Sequence, residues 1–116
     1  MFSHGSALSA ATVHEHGSLL LRLAGELDVA TALTLRTVVA DLVQPELRDV
    51  TVDLNSVTFV DVAGVRTLLE AQRAATAAGA TFRLSGVNGS TRRIIQLTDH
   101  PVLADAIEDP PTGRTA

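Results

Sequence analysis

The sequence predicts an α/β fold, a one-sided βα superhelix of about four strands whose helices lie mainly on one face. Three features predict it: apolar residues alternate in three separate segments, the stretches between them repeat apolar residues at helical spacing, and a glycine turn precedes the first of the three. Strand–helix–strand order implies parallel strands joined by right-handed crossovers, and successive crossovers moving the same way lay their helices on one face. The alternation agrees, because a parallel sheet covered on both faces reads as continuous apolar runs.

Residues 1–10 are expected to form a flexible N-terminus ahead of a single domain spanning 11–108. Ala11 to His16, followed by Gly17-Ser18, suits an antiparallel edge strand that returns through a tight hairpin, since glycine accepts turn conformations that other residues resist. Ser18 to Ala24 places Leu19, Leu21 and Leu23 on one face of the next strand and Leu20, Arg22 and Ala24 on the other. A helix follows, with Leu35, Val38, Val39 and Leu42 at i, i+3, i+4 and i+7. Asp28 can accept hydrogen bonds from the amides of its opening turn, and Pro45 forces it to end.

Asp49 to Leu54 repeats the strand pattern, with Val50, Val52 and Leu54 inward. Ser56 is expected in the turn after it and Thr58 at a strand end. The next helix carries Val65, Leu68, Leu69 and Gln72 on one stripe, has Asp61 as its cap, and stops at Ala78-Gly79, where glycine takes the left-handed closing conformation. Thr81 to Leu84 is the last strand, with Phe82 and Leu84 inward. Ser90 to Thr98 suits a short helix with Ile94, Ile95 and Leu97 as its apolar residues, and residues 101–108 can add one more turn. Beyond Glu108, Asp109-Pro110-Pro111-Thr112-Gly113-Arg114 offers almost nothing to bury, so 109–116 is expected to be a disordered tail.

Composition narrows the function. A 116-residue chain with 46% hydrophobic residues suffices for one core. Its net charge is −4 and its basic residues, all arginine, are scattered, which disfavours direct binding to nucleic acid. No cysteine is present, so disulfides and a thiol nucleophile are excluded. No apolar stretch is long enough to span a bilayer and the N-terminus has no signal pattern, so no membrane insertion and a cytoplasmic location are expected.

Asp28 and Asp61 both fall where a strand gives way to a helix, the edge at which open α/β sheets place their sites. Each alone is more often a helix cap than a functional group. Paired carboxylates could share acid and base roles, but no aromatic platform accompanies them, and no histidine in ligand spacing supports a metal. His14 and His16 share an edge-strand face at a chelating spacing, a pattern that is usually only solvated, and His4 and His100 are isolated. Gly86-Val87-Asn88-Gly89-Ser90 lacks the lysine and the spacing of a phosphate loop and reads as a turn. No nucleophile, base and orienting group assemble from these residues, so neither an enzyme nor a cofactor is expected. Gly64, inside a helical first turn, costs up to about 1 kcal/mol relative to alanine, which points either to close approach by another backbone or to tight packing of helix on sheet.

Leu23-Ala24-Gly25-Glu26-Leu27-Asp28 resembles the Gly-Glu-Leu-Asp signature of STAS domains, and Thr58-Phe59-Val60-Asp61-Val62-Ala63-Gly64 resembles their Phe-x-Asp-Ser-Ser-Gly segment. With Leu84 and Ile94-Ile95-Gln96-Leu97-Thr98, the resemblance covers roughly residues 11 to 100 in compatible order. It implies the βα superhelix already read from periodicity, and the function of an anti-sigma factor antagonist. Such proteins bind an anti-sigma factor that is also a serine kinase, release its sigma factor, and lose the partner when the first serine of Asp-Ser-Ser-Gly is phosphorylated. By that match the phosphoacceptor position is Val62 and the next is Ala63, and neither carries a hydroxyl. The resemblance therefore implies a partner-binding edge of Asp28, Asp61, Val62, Ala63 and Gly64 without the usual switch. A second implied role is a non-phosphorylatable STAS subunit of a larger assembly, such as a lipid-transport ABC complex or a stress-sensing complex.

Overall fold

A computed structural model describes residues 7–108. The expected tail 109–116 and residues 1–6 of the expected flexible N-terminus lie outside them. The elements run β1 (Leu8–Glu15), β2 (Ser18–Leu27), α1 (Ala32–Leu42), β3 (Asp49–Val60), α2 (Val62–Ala77), β4 (Thr81–Ser85), α3 (Gly89–Leu97) and α4 (Pro101–Asp105). The strands form one four-stranded sheet in the order β1-β2-β3-β4, antiparallel between β1 and β2 and parallel thereafter. This is the α/β architecture that the alternation of strands and helices predicts.

Burial follows the period-two pattern. Leu19, Leu21 and Leu23 of β2, Val50, Val52 and Leu54 of β3, and Phe82 and Leu84 of β4 are all buried. Their neighbours Arg22 and Arg83 point to the other face and are exposed, so the helices cover one side. From α2 the stripe Val65, Leu68, Leu69 and Gln72 meets that core. Gln72 is tolerated in an apolar stripe because its Nε2 donates to the Val102 carbonyl at 3.0 Å, tying α2 to α4. Residues after α4 close the far edge of the sheet, with Leu84 N donating to Ala106 O at 2.9 Å and Glu108 N to Leu84 O at 2.7 Å.

The structure departs from the sequence expectations at several points. β1 starts at Leu8, not Ala11, so residues 8–10 belong to the sheet, in the register Leu8↔Gly25, Ser9↔Ala24 and Ala10↔Leu23. The hairpin turn is His16-Gly17, with φ of 51° and 84°, so His16 leaves the strand and does not share a face with His14. β3 runs on to Val60, and Ser56 pairs with Ala24 inside it where a turn was expected. The register shift between Arg22/Ala24 takes up an extra residue beside Asn55, and that between Gly25/Glu26 takes up Thr58, so the ladder continues to Val60. Leu97 of α3 is 74% exposed, because the stripe that packs inward is Thr91, Ile94 and Ile95.

Candidate functional site

The ends of β2 and β3 lie side by side, paired through Glu26↔Phe59 and Leu27↔Val60. Asp28 and Asp61 therefore sit on one edge of the sheet, each one residue past its strand, as the sequence reading expects. The backbones stay joined beyond the ladder: Asp61 N donates to the Leu27 carbonyl at 3.2 Å.

Both carboxylates are turned onto backbone amides. Oδ1 of Asp61 accepts from Gly64 N at 2.9 Å, the N-cap geometry expected at the head of α2. Oδ1 of Asp28 accepts from Ala30 N at 2.9 Å and Thr31 N at 3.2 Å, and the residue is buried. Asp28 thus caps the turn that leads into α1, while the N-cap residue of the helix itself is Thr31. Thr31 Oγ1 accepts from Asp28 N at 3.0 Å and donates to Glu26 O at 2.8 Å, which folds the turn back onto the end of β2.

Gly64 resolves the choice left open by the sequence in favour of backbone approach. A Cβ built there would overlap the Leu27 carbonyl oxygen and lie 2.9 Å from that carbonyl carbon and 3.0 Å from Val60 Cγ1. The first turn of α2 is thus laid against the end of β2. Gly25 meets a similar demand one strand end earlier: its φ is +115°, a Cβ would overlap the Ala7 carbonyl oxygen, and the next residue, Glu26, donates to that same oxygen at 2.9 Å. Gly25 and Gly64 let three chain segments meet with no side chain between them.

With the acids engaged, this edge presents apolar groups to solvent. Val62, the first residue of α2, is 48% exposed and Ala63 is half-buried. On the segments that lead into and out of the two strand ends, Val29 is 77% exposed, Leu33 70% and Phe59 51%. Sequence reasoning did not single out these last three. One signal was available: Leu33 lies off the Leu35–Val38–Val39–Leu42 stripe of its helix, so a leucine there has no core to enter. The Thr58 hydroxyl donates to Gly25 O at 3.2 Å from within β3, and the buried Thr67 hydroxyl donates to Ala63 O at 2.9 Å.

Alongside the patch, Arg36 of α1 and Glu70 of α2 form an exposed ion pair, with Nε to Oε1 at 2.6 Å. The hydrogen bond from Arg36 holds the Glu70 carboxyl below its ordinary range, and the same bond raises the guanidinium. The pair ties α1 to α2. Among the described residues no group of three or more His, Cys, Asp or Glu is placed to hold a metal ion. None of the described helices is long and apolar enough to cross a membrane. A short edge with capped acids, two close-packed glycines and exposed apolar side chains can dock a protein surface.

The model of the STAS domain family matches residues 9–104. Among solved structures, the anti-sigma factor antagonist SpoIIAA in its unphosphorylated form is similar to this chain, at 19% identity and TM-score 0.66, covering 92% of each chain. An anti-sigma factor antagonist from Mycobacterium paratuberculosis gives 24% identity and TM-score 0.62, covering 79% of this chain and 78% of that one. The murine anion transporter Slc26a9 contains the same fold at 17% identity and TM-score 0.67, over 82% of this chain and 16% of that one. No curated protein sequence gives a significant match.

Proposed function

The chain belongs to the STAS family, and on that premise we propose that it is an anti-sigma factor antagonist that works without a serine phosphorylation switch. It binds an anti-sigma factor of the serine-kinase type in the cytoplasm, and so releases a sigma factor. The observation that carries this reading is Val62: it stands half-exposed at the first position of α2, beside the capped Asp61 and the close-packed Gly64, with no hydroxyl to accept a phosphate. A phosphate there would bring almost two negative charges into an apolar docking edge. Valine makes that edge permanently apolar. Asp28, Asp61 and Gly64 hold its shape, and Val62 and Ala63, together with Val29, Leu33 and Phe59, make the contact. The protein performs no catalysis itself.

Affinity purification of the tagged protein from its native cells tests the proposal. Recovery of an anti-sigma factor with a kinase-type ATPase domain, lost on Leu33→Asp, supports it. Recovery of an ABC-type ATPase or of stress-complex subunits instead would assign the domain to a larger assembly, the second role that the family resemblance implies.

A further inference from the structure

The two edges of the sheet are treated differently. β4 is closed by residues 106–108, whereas among the described residues nothing pairs with the outer side of β1. Natural sheets guard such an edge with lysine, proline, a bulge or a very short strand. β1 uses none of these. It is eight residues long, Leu-Ser-Ala-Ala-Thr-Val-His-Glu, pairs with β2 without a register shift, and is exposed from Ser9 to Glu15.

Glu26 N donates to Ala7 O, so Ala7 directs its backbone groups towards β2. Backbone groups alternate along an antiparallel strand, so residues 9, 11, 13 and 15 do likewise, while Leu8, Ala10, Thr12 and His14 turn their N–H and C=O outward. The side chains sort by the other alternation. Ala11, Val13 and Glu15 lie on the open face of the sheet, opposite Arg22, Leu20 and Ser18 of β2.

We propose that β1 pairs antiparallel with β1 of a second copy of this chain, about a two-fold axis at Val13, giving one continuous eight-stranded sheet. A two-fold normal to the sheet keeps open face with open face, and the Val13-centred register is the one in which this strand complements itself. Thr12 and His14 of each copy exchange backbone hydrogen bonds with His14 and Thr12 of the other. Val13, 48% exposed in the single chain, meets its symmetry mate, and because Val13 pairs with Leu20 the contact extends to an apolar row of Leu20, Val13, Val13 and Leu20. In the adjacent row Glu15 of one copy comes opposite Ala11 of the other, and Arg22 stands next to Ala11. Alanine is too small to separate them, so Glu15 reaches Arg22 across it, twice by symmetry. Arg22 is 63% exposed, with Asp53 at 3.5 Å on its own chain, so its guanidinium is accessible to a partner.

Analytical ultracentrifugation of the full chain over a concentration series tests this. The wild type is expected to show a reversible monomer–dimer equilibrium. Thr12→Pro removes one outward N–H and leaves the β1–β2 ladder intact, so it should abolish the dimer with unchanged circular dichroism. Glu15→Arg and Arg22→Glu should each weaken the dimer by at least about tenfold, because each sets like charges against one another twice. Mixing the two single variants should restore association, since the heterodimer keeps one native Glu15–Arg22 contact and gains one with its charges reversed, both attractive. A protein that stays monomeric up to the order of 100 μM overturns the proposal. So does a dimer that survives Thr12→Pro, or one whose charge variants show no rescue on mixing.

Discussion

Replacing Gly64 with alanine sets two opposed effects against each other at the centre of the site. Alanine is the better helix former, by about 1 kcal/mol, and it lowers the entropy of the unfolded chain. Against that gain stands the Leu27 carbonyl. The added methyl would overlap its oxygen and sit 2.9 Å from its carbon, roughly half an ångström short of ordinary contact. The carbonyl cannot swing aside cheaply, because Asp61 N donates to it at 3.2 Å and Leu27 itself is fully buried. Val60 Cγ1 at 3.0 Å blocks the other side. Overpacking of this kind costs about 1–3 kcal/mol, and more where backbone must move. Net destabilisation of about 1–2 kcal/mol is therefore expected, a fall in Tm of roughly 5–10 °C for a domain of this size. Thermal and urea unfolding of the variant measure it. Gly89→Ala is the internal control: it opens α3 with nothing within 4 Å of the added methyl, so it should be neutral or stabilising. A Gly64→Ala protein as stable as the wild type would refute the close approach of β2 to α2.

Asp61→Ala removes the N-cap of α2 and should cost about 1 kcal/mol, while Asp61→Asn keeps an acceptor for Gly64 N and should cost less; urea midpoints separate the two. Leu33→Asp should leave the melting temperature nearly unchanged, because the side chain is 70% exposed, yet lower partner affinity at least about tenfold by calorimetry. Unchanged affinity would remove Leu33 from the docking edge. The Arg36–Glu70 pair gives a pH prediction. The Glu70 carboxyl is lowered in the folded state, so its small stabilisation is present above the ordinary glutamate value and fades as pH falls through the lowered one. Glu70→Gln should flatten that acid limb of the stability curve and leave neutral pH little affected, since the pair is exposed.

Much of the fold was legible because burial imposes a period. Leu19, Leu21 and Leu23 alternate since one sheet face is covered, and Val65, Leu68 and Leu69 repeat at helical spacing since α2 lies on that face. The sequence puts the start of β1 three residues late because from Ser9 onward every residue of the strand is exposed, so no alternation marks where it begins. The extension of β3 through Asn55-Ser56 was hidden for a different reason, since two polar residues read as a turn and a register shift leaves no composition signal. At the site, Asp61 and Gly64 were readable as cap and close-packed glycine from local rules. The orientation of Asp28 towards Ala30 and Thr31 was not, and neither was the exposure of Val29 and Phe59. In a sequence, an apolar residue that docks a partner looks the same as one that fills a core.

In the proposed function this STAS domain captures an anti-sigma factor through an edge whose matched acceptor position, Val62, carries no hydroxyl. Incubating the purified protein with ATP and the proposed partner, an anti-sigma factor of the kinase type, then reading intact mass and complex formation together, tests it most directly. The expected result is an unchanged mass and a complex that persists with ATP, while Val62→Ser gains one phosphate and loses the complex. A wild-type protein that gains a phosphate, at Thr58, Ser56 or elsewhere, and then releases its partner would contradict it.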